Sequence, residues 1–275
     1  MGIVKKIKRI SFLFFLCIIV IGIYIWLYHP FLDYNRTAHI SIDDVTKSFQ
    51  NLCKDSNKYN SIFEEPFFAY LKHLHDDYSC AITCYVFERD GDFDISQFPQ
   101  KYSDEFKNNS TWLKFGFHGI TLSKHVPNNV SFNNFVGSFC RFNRELSRFA
   151  SEESKANIIR LDYYYATTKE VEFLVKHGVT TLLSSHDDRR SYHLPFAKNN
   201  QLITQNSIQY NGLKYLRTNI RIENIDFPYF NILRNRDKDT LVIFTHEWKL
   251  DKINKYKLEK TIKILSEKNY RFICE

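Results

Sequence analysis

Short β-rich runs alternate with longer amphipathic stretches along most of this chain, and that rhythm limits its fold more than any other feature. Runs rich in β-branched and aromatic residues recur at 38–42, 80–87, 112–117, 157–164, 179–184, 213–222, 240–245 and 270–274. Between several of them, residues 67–74, 135–150, 168–177 and 251–268 carry helical patterning. Strand, helix, strand, helix implies a parallel sheet, because parallel neighbours need a crossover connection. From residue 37 onward there is no internal repeat, low-complexity tract or Pro/Gly/Ser-rich linker. Residues 37–275 therefore read as one α/β domain, of a length that suits a barrel of alternating strands and helices.

Composition removes several function classes. With 44% hydrophobic, 16% aromatic and 25% charged residues, the chain is built to order rather than to remain disordered. The formal charge is +7, but Lys5, Lys6, Lys8 and Arg9 carry four of those charges, leaving +3 for everything after residue 10. That excess is too thin for a nucleic-acid-binding face, which needs a dense basic stripe. Of eight glycines only Gly116 and Gly119 lie close together, so neither a G-x-G-x-x-G loop nor a Walker loop can be written. Dinucleotide oxidoreductases and P-loop NTPases are poor candidates.

The amino terminus has its own logic. Residues 10–28 form an uncharged, almost wholly apolar run, long enough as a helix to span about 30 Å of hydrocarbon. The basic cluster before it favours a cytoplasmic amino end, and Tyr24, Trp26 and Tyr28 suit the far interface. The expectation is a single-pass signal-anchor over residues 1–36 with the domain extracytoplasmic. A cleaved signal peptide is the weaker reading, since His29 to Asp33 offers no small-residue cleavage site. Six cysteines have no zinc-ribbon spacing and read as buried thiols.

In parallel α/β folds the chemistry collects where strands end. Asp43 and Asp44 follow the first run, His118 the third, and His246 and Glu247 the seventh, while Arg160 and Asp162 fall in the fourth. Strand alternation places Lys114, Gly116 and His118 on one face, and Arg160 with Asp162 on one face. If those faces converge, Asp44 and His118 begin a divalent-metal site, and the neighbouring carboxylate of Asp43 is free to take a proton. The plainer alternative is that Asp43 or Asp44 caps a helix over 45–52. Loop 185–192 sits on the same expected rim; Arg217 is either an ion-pair partner or a substrate contact. Glu247 and Trp248 can shape a sugar subsite, although tryptophan is more often core.

These residues resemble a known family. Ser41-Ile42-Asp43-Asp44-Val45 is similar to the first motif of the polysaccharide deacetylases of the NodB-homology fold. Gly116-Phe117-His118 resembles the opening of their second motif, Arg160-Leu161-Asp162-Tyr163 their third, and Phe244-Thr245-His246 the late motif in which a strand presents a histidine. The order of the motifs, from about residue 38 to the carboxyl end, carries the resemblance. It implies a distorted (β/α) barrel of about seven parallel strands, a divalent metal such as zinc, and a carbohydrate or polysaccharide substrate. It further implies Asp43 as general base, Asp44 and His118 as metal ligands, Arg160 as the residue orienting the base, and His246 as general acid. Asp162, Tyr163 and Trp248 are then substrate-side residues.

One departure bears on the metal. The family's second motif has another histidine four residues after the first, and Leu122 stands there instead. His125, His246 and Asp162 are the candidates for the third ligand, in that order. The leading expectation is a membrane-anchored, metal-dependent hydrolase of N- or O-acetyl groups on a cell-surface carbohydrate. A glycoside hydrolase on a related barrel and a catalytically silent carbohydrate-binding protein are the alternatives.

Overall fold

Parallel strands alternate with helices, as the sequence rhythm implies. The computed structural model describes residues 12, 14–24, 35–122 and 130–274. Among these the strands are β1 (Thr37–Asp43), β2 (Ile82–Asp90), β3 (Phe93–Asp94), β4 (Leu113–Thr121), β5 (Ile158–Ile159), β6 (Thr181–Ser184), β7 (Ser207–Tyr210), β8 (Leu213–Arg217), β9 (Ile220–Arg221), β10 (Thr240–His246) and β11 (Arg271–Phe272). The helices are α1, described at residues 12 and 14–24, then α2 (Lys47–Lys54), α3 (Pro66–Tyr78), α4 (Ser103–Asn108), α5 (Phe132–Phe149), α6 (Thr168–Lys176), α7 (Phe196–Gln205), α8 (Pro228–Arg234) and α9 (Lys252–Glu267).

In one sheet β4, β2, β1, β10 and β9 lie side by side in parallel. In the other, β5, β6 and β8 are parallel. A lone parallel bridge from Phe115 to Lys155 links β4 to the approach of β5. At the other side β8 runs into β9 through Thr218 and Asn219, so the two sheets close into a ring of seven parallel positions. The run 213–222, expected as one strand, is split there because Thr218 turns its hydroxyl to the Ser184 carbonyl at 2.5 Å. Two antiparallel ribbons, β3 on β2 and β7 on β8, decorate the ring, and β11 pairs with the start of β1.

Every residue of β1 is buried, which is why it does not alternate apolar with polar in the manner of a strand with one wet face. Its odd-numbered polar residues enter the barrel interior instead. His39 Nε2 meets the Tyr85 hydroxyl at 3.2 Å, and Ser41 and Asp43 meet Arg160. Tyr85 donates to the Ile158 carbonyl at 2.9 Å, and its ring lies against Gly116, where a Cβ would stand 2.8 Å from two ring carbons. Gly116 is thus required by a close approach rather than by a turn. Outside the ring a phenylalanine cluster fills the space under the helices, with Phe49 5.0 Å from Phe98 and 5.5 Å from Phe115 between ring centroids.

Several sequence expectations are corrected. The fourth run, 157–164, yields only the two residues of β5, because Asp162–Tyr164 forms a 3-10 turn in which Tyr163 and Tyr164 have φ of 53° and 55°. Helices α4, α7 and α8 did not stand out in the sequence, being short and without a clear apolar stripe. Cys80, Cys84 and Cys274 are buried as expected, but Cys140 is exposed. Residues 14–24 are helical with exposed side chains, and among the described residues no helix is long and apolar enough to cross a membrane. Residues 10, 11, 13 and 25–28 of the expected span lie outside the described residues.

Candidate active site

At the ends of the parallel strands a cavity of about 700 Å³ opens, and Asp43, Asp44, His118, Arg160, Asp162 and His246 all line it. Adjacent residues on an extended strand face opposite ways. Asp44 escapes that constraint with a left-handed backbone, φ 57°, which costs a residue with a Cβ about 1 kcal/mol or more. The turn is pinned where the Val45 amide donates to the Tyr85 carbonyl at 3.0 Å. Both carboxylates thereby reach one cavity.

Neither of them caps α2. That task falls to Glu247, just past β10, whose carboxylate accepts from the amides of Thr46, Lys47 and Ser48 at 2.9, 2.8 and 2.7 Å. Glu247 is committed to that helix end, so the sugar-subsite role expected of it is not where its oxygens point.

Arg160 is buried and forks between strands. Nη1 donates to Ser41 Oγ and to Asp43 Oδ1, both at 2.8 Å, and Nη2 donates to Thr218 Oγ1 at 3.0 Å. Its guanidinium stacks over the Phe244 ring at 4.4 Å. The backbone carbonyl of the same residue accepts from His118 Nδ1 at 2.6 Å. His118 Nε2 is thereby turned to Asp44 Oδ1, 3.2 Å away. Burial alone would push the His118 imidazole down. The hydrogen bond to Asp44 and the charges of Asp43, Asp44 and Asp162 outweigh it and raise the pKa to about 9. Burial pushes the Asp44 carboxyl up, and the hydrogen bond and charge of His118, the charge of His246 and the Trp248 indole bring it below the usual range.

His246 faces the cavity from the end of β10, and a residue that the sequence reading missed holds it. Glu223 Oε1 accepts from His246 Nδ1 at 2.8 Å, from the His246 amide at 3.1 Å and from Thr245 Oγ1 at 3.1 Å. Against the effect of burial, those bonds and the neighbouring charges hold the Glu223 carboxyl down at about 2. Its signal was available: Glu223 lies two residues past β9, at the end of a strand.

Around this centre, Asp162 is raised to about 6, by burial first and, against the pull of His118, by the charges of Asp44 and Asp43. Tyr163 lines the cavity, and Trp248, far from being core, is 62% exposed with its indole N–H on Asp44 Oδ2 at 2.8 Å. Tyr192 is buried and donates to the Leu183 carbonyl at 2.6 Å, and Arg217 pairs with Asp188 at 2.8 Å, so both have structural duties. Leu122 lines the cavity where the family's second histidine would stand. His125 lies outside the described residues.

Among the described residues no group of three or more His, Cys, Asp or Glu side chains is placed to hold a metal. Asp44 and His118 nonetheless fit as two donors of one ion. Two ligands at about 2 Å from a tetrahedral zinc stand about 3.3 Å apart, and these two stand at 3.2 Å. A ligating histidine also usually anchors its second nitrogen on a carbonyl or carboxylate, as His118 does on Arg160.

No protein-family model matches the sequence, and no curated protein does. Solved structures are similar. A candidate polysaccharide deacetylase from Mycobacterium smegmatis superposes with a TM-score of 0.54 at 11% identity, over 88% of this chain and 88% of its own. A Streptococcus mutans CE4 esterase has a TM-score of 0.43 at 14% identity, over 90% and 88%. The catalytic domain of a peptidoglycan N-acetylglucosamine deacetylase from Eubacterium rectale has 0.41 at 12%, over 87% and 88%. The ring of seven parallel positions, together with the first of these superpositions, gives this chain the polysaccharide deacetylase fold, the NodB-homology fold that its ordered motifs resemble.

Proposed function

We propose that this chain is a metal-dependent hydrolase that removes N- or O-acetyl groups from a cell-surface carbohydrate. The observation that supports it most is the meeting of Asp43 and Asp44 from β1, His118 from β4, Arg160 beyond β5 and His246 from β10 at one cavity. Asp44 and His118 would hold a divalent cation such as zinc, which when bound supplies electrophilic polarisation of the acyl carbonyl. Asp43, oriented by Arg160, takes a proton from the water whose oxygen bonds to the acyl carbon. As the C–N or C–O bond breaks, His246 delivers a proton to the departing atom. Its Nδ1 is engaged by Glu223, which leaves Nε2 for that transfer. Asp162, Tyr163 and Trp248 border the position of the sugar, with Trp248 exposed at the rim. The basic cluster and apolar run at residues 5–28 would tether the domain on the outer side of a membrane.

Leu122 favours a second reading, a catalytically silent carbohydrate-binding protein, because it removes one expected ligand. Acetate release from a panel of acetylated glycans separates the possibilities. The hydrolase reading expects release by the parent and none by Asp43→Asn with its metal content intact. Sugar release without acetate points to a glycoside hydrolase, and glycan binding without either product to the silent protein.

A further inference from the structure

The domain's exposed large apolar side chains are not scattered. Among the described residues beyond α1 there are eight, and five occupy one edge at 55–66% exposure. Phe227 and Phe230 stand at the start of α8, Ile253 and Tyr256 in the first turns of α9, and Trp248 just past β10. The other three, Leu122, Phe132 and Phe196, directly follow β4 or begin α5 and α7. In a βα ring helices start where strands finish, so all eight lie at the end that carries the cavity and none at the other. Single exposed apolar residues need no explanation, but their confinement to one end does.

The chemistry of this edge suits hydrocarbon better than sugar. Phe227, Phe230 and Ile253 have no polar group to meet a hydroxyl. Lysines accompany them on the α9 side: Lys249 sits 4.4 Å over the Trp248 ring, and Lys252 and Lys257 lie in the first turns of α9, while Lys255 leans over Tyr70 of α3 and the exposed Asp226 precedes Phe227. Lysine at a helix start opposes the macrodipole, so local helix stability does not account for the placement. The nearby Asp251 is engaged in capping Asn254 at 2.8 Å. Apolar side chains beside a small excess of lysine are the makeup of a surface that enters an anionic bilayer interface.

We propose that the α8–α9 edge docks on an anionic lipid surface and sets the mouth of the cavity against the headgroup layer. The tether permits it. Thr37 begins β1 at the opposite end of the barrel, where the Arg36 carbonyl already accepts from the Arg271 amide at 2.9 Å, but residues 29–35 can reach about 24 Å when extended, which matches a height of about 23 Å for a seven-residue strand. Docking does not depend on the hydrolase reading.

The test uses the full chain carrying Trp26→Phe, Trp248→Phe and Phe230→Trp, reconstituted in phosphatidylglycerol-containing vesicles with plain or brominated acyl chains. Trp112, 5% exposed, remains as the internal reference for folding. The expected result is a blue-shifted Phe230→Trp emission quenched at least twofold by brominated lipid, with quenching lost when Phe227, Ile253 and Tyr256 are replaced by serine and weakened in pure phosphatidylcholine. Equal emission in plain and brominated vesicles overturns the proposal. So does quenching that soluble acetylated chitooligosaccharide abolishes, which would make the edge a sugar platform. Acetate release is not read, so failure here leaves the hydrolase reading untouched, and the reverse.

Discussion

Asp44 Oδ1 lies 3.2 Å from His118 Nε2 while Nδ1 of the same ring is held by the Arg160 carbonyl. The two atoms come from strands that are not neighbours in the ring, since β2 lies between β1 and β4. Only the left-handed turn at Asp44 brings its carboxylate across. If this pair holds a cation, removing either donor should matter more than loss of an outer-shell partner, which typically lowers affinity tenfold or more. Asp44→Ala and His118→Ala are each expected to lower metal content after dialysis by more than about tenfold, read by elemental analysis. Parent-level metal in either variant would refute the pair as ligands.

Arg160 ties together the interior. Its two terminal nitrogens serve Ser41, Asp43 and Thr218, and its charge is buried with that of Asp43. Arg160→Met leaves Asp43 buried without its counter-ion, a change that costs about 3 to 5 kcal/mol. A domain of this size should then melt roughly 10 °C lower. The double variant Arg160→Met/Asp43→Leu should recover part of the loss, because it removes the stranded charge as well. Thermal melts of both check this, and an unshifted melting temperature for Arg160→Met would show that the pair contributes nothing net.

The sequence made the site more legible than the fold details around it. Asp43, Asp44, His118, Arg160 and His246 stand at strand ends and in motif order, and both signals survive without an alignment. Arg160 was nevertheless expected inside a long strand, because 157–164 is rich in β-formers. The positive φ of Tyr163 and Tyr164 that ends β5 leaves no trace in composition. Glu223 and Glu247 stand at strand ends too, but their roles were hidden for a different reason. What each does is defined by partners far along the chain or on another element, Thr46 to Ser48 for Glu247 and His246 for Glu223. Local patterning cannot display such pairings.

Gly116 supplies a test of the barrel interior. A Cβ there would meet Tyr85 ring carbons at 2.8 Å and Ile159 at 3.3 Å, and Tyr85 is not free to withdraw because its hydroxyl bonds His39 and the Ile158 carbonyl. Gly116→Ala is expected to destabilise the domain by about 1 to 3 kcal/mol through overpacking. Denaturant unfolding measures it. Gly116→Ala combined with Tyr85→Phe should not restore stability, since the ring that clashes remains, whereas Tyr85→Leu should relieve the clash in part.

Glu223 links the proposed acid chemistry to pH. Its carboxyl is held at about 2 in the folded chain against an ordinary 4.5. A depressed carboxyl contributes stability that is fully present above its unfolded value and is lost as pH falls through the folded one. The parent should therefore exceed Glu223→Gln in stability by a constant margin above about pH 5, and the margin should shrink between about pH 4.5 and 2. Acid unfolding of the two proteins reads this directly. On activity, the variant leaves His246 Nδ1 facing a neutral amide, so the ring loses its anionic partner while the other cavity residues stay. A fall in kcat of about tenfold or more with little change in KM is expected. An unchanged kcat beside the altered acid unfolding would assign Glu223 to stability alone and remove His246 from the proton-transfer role.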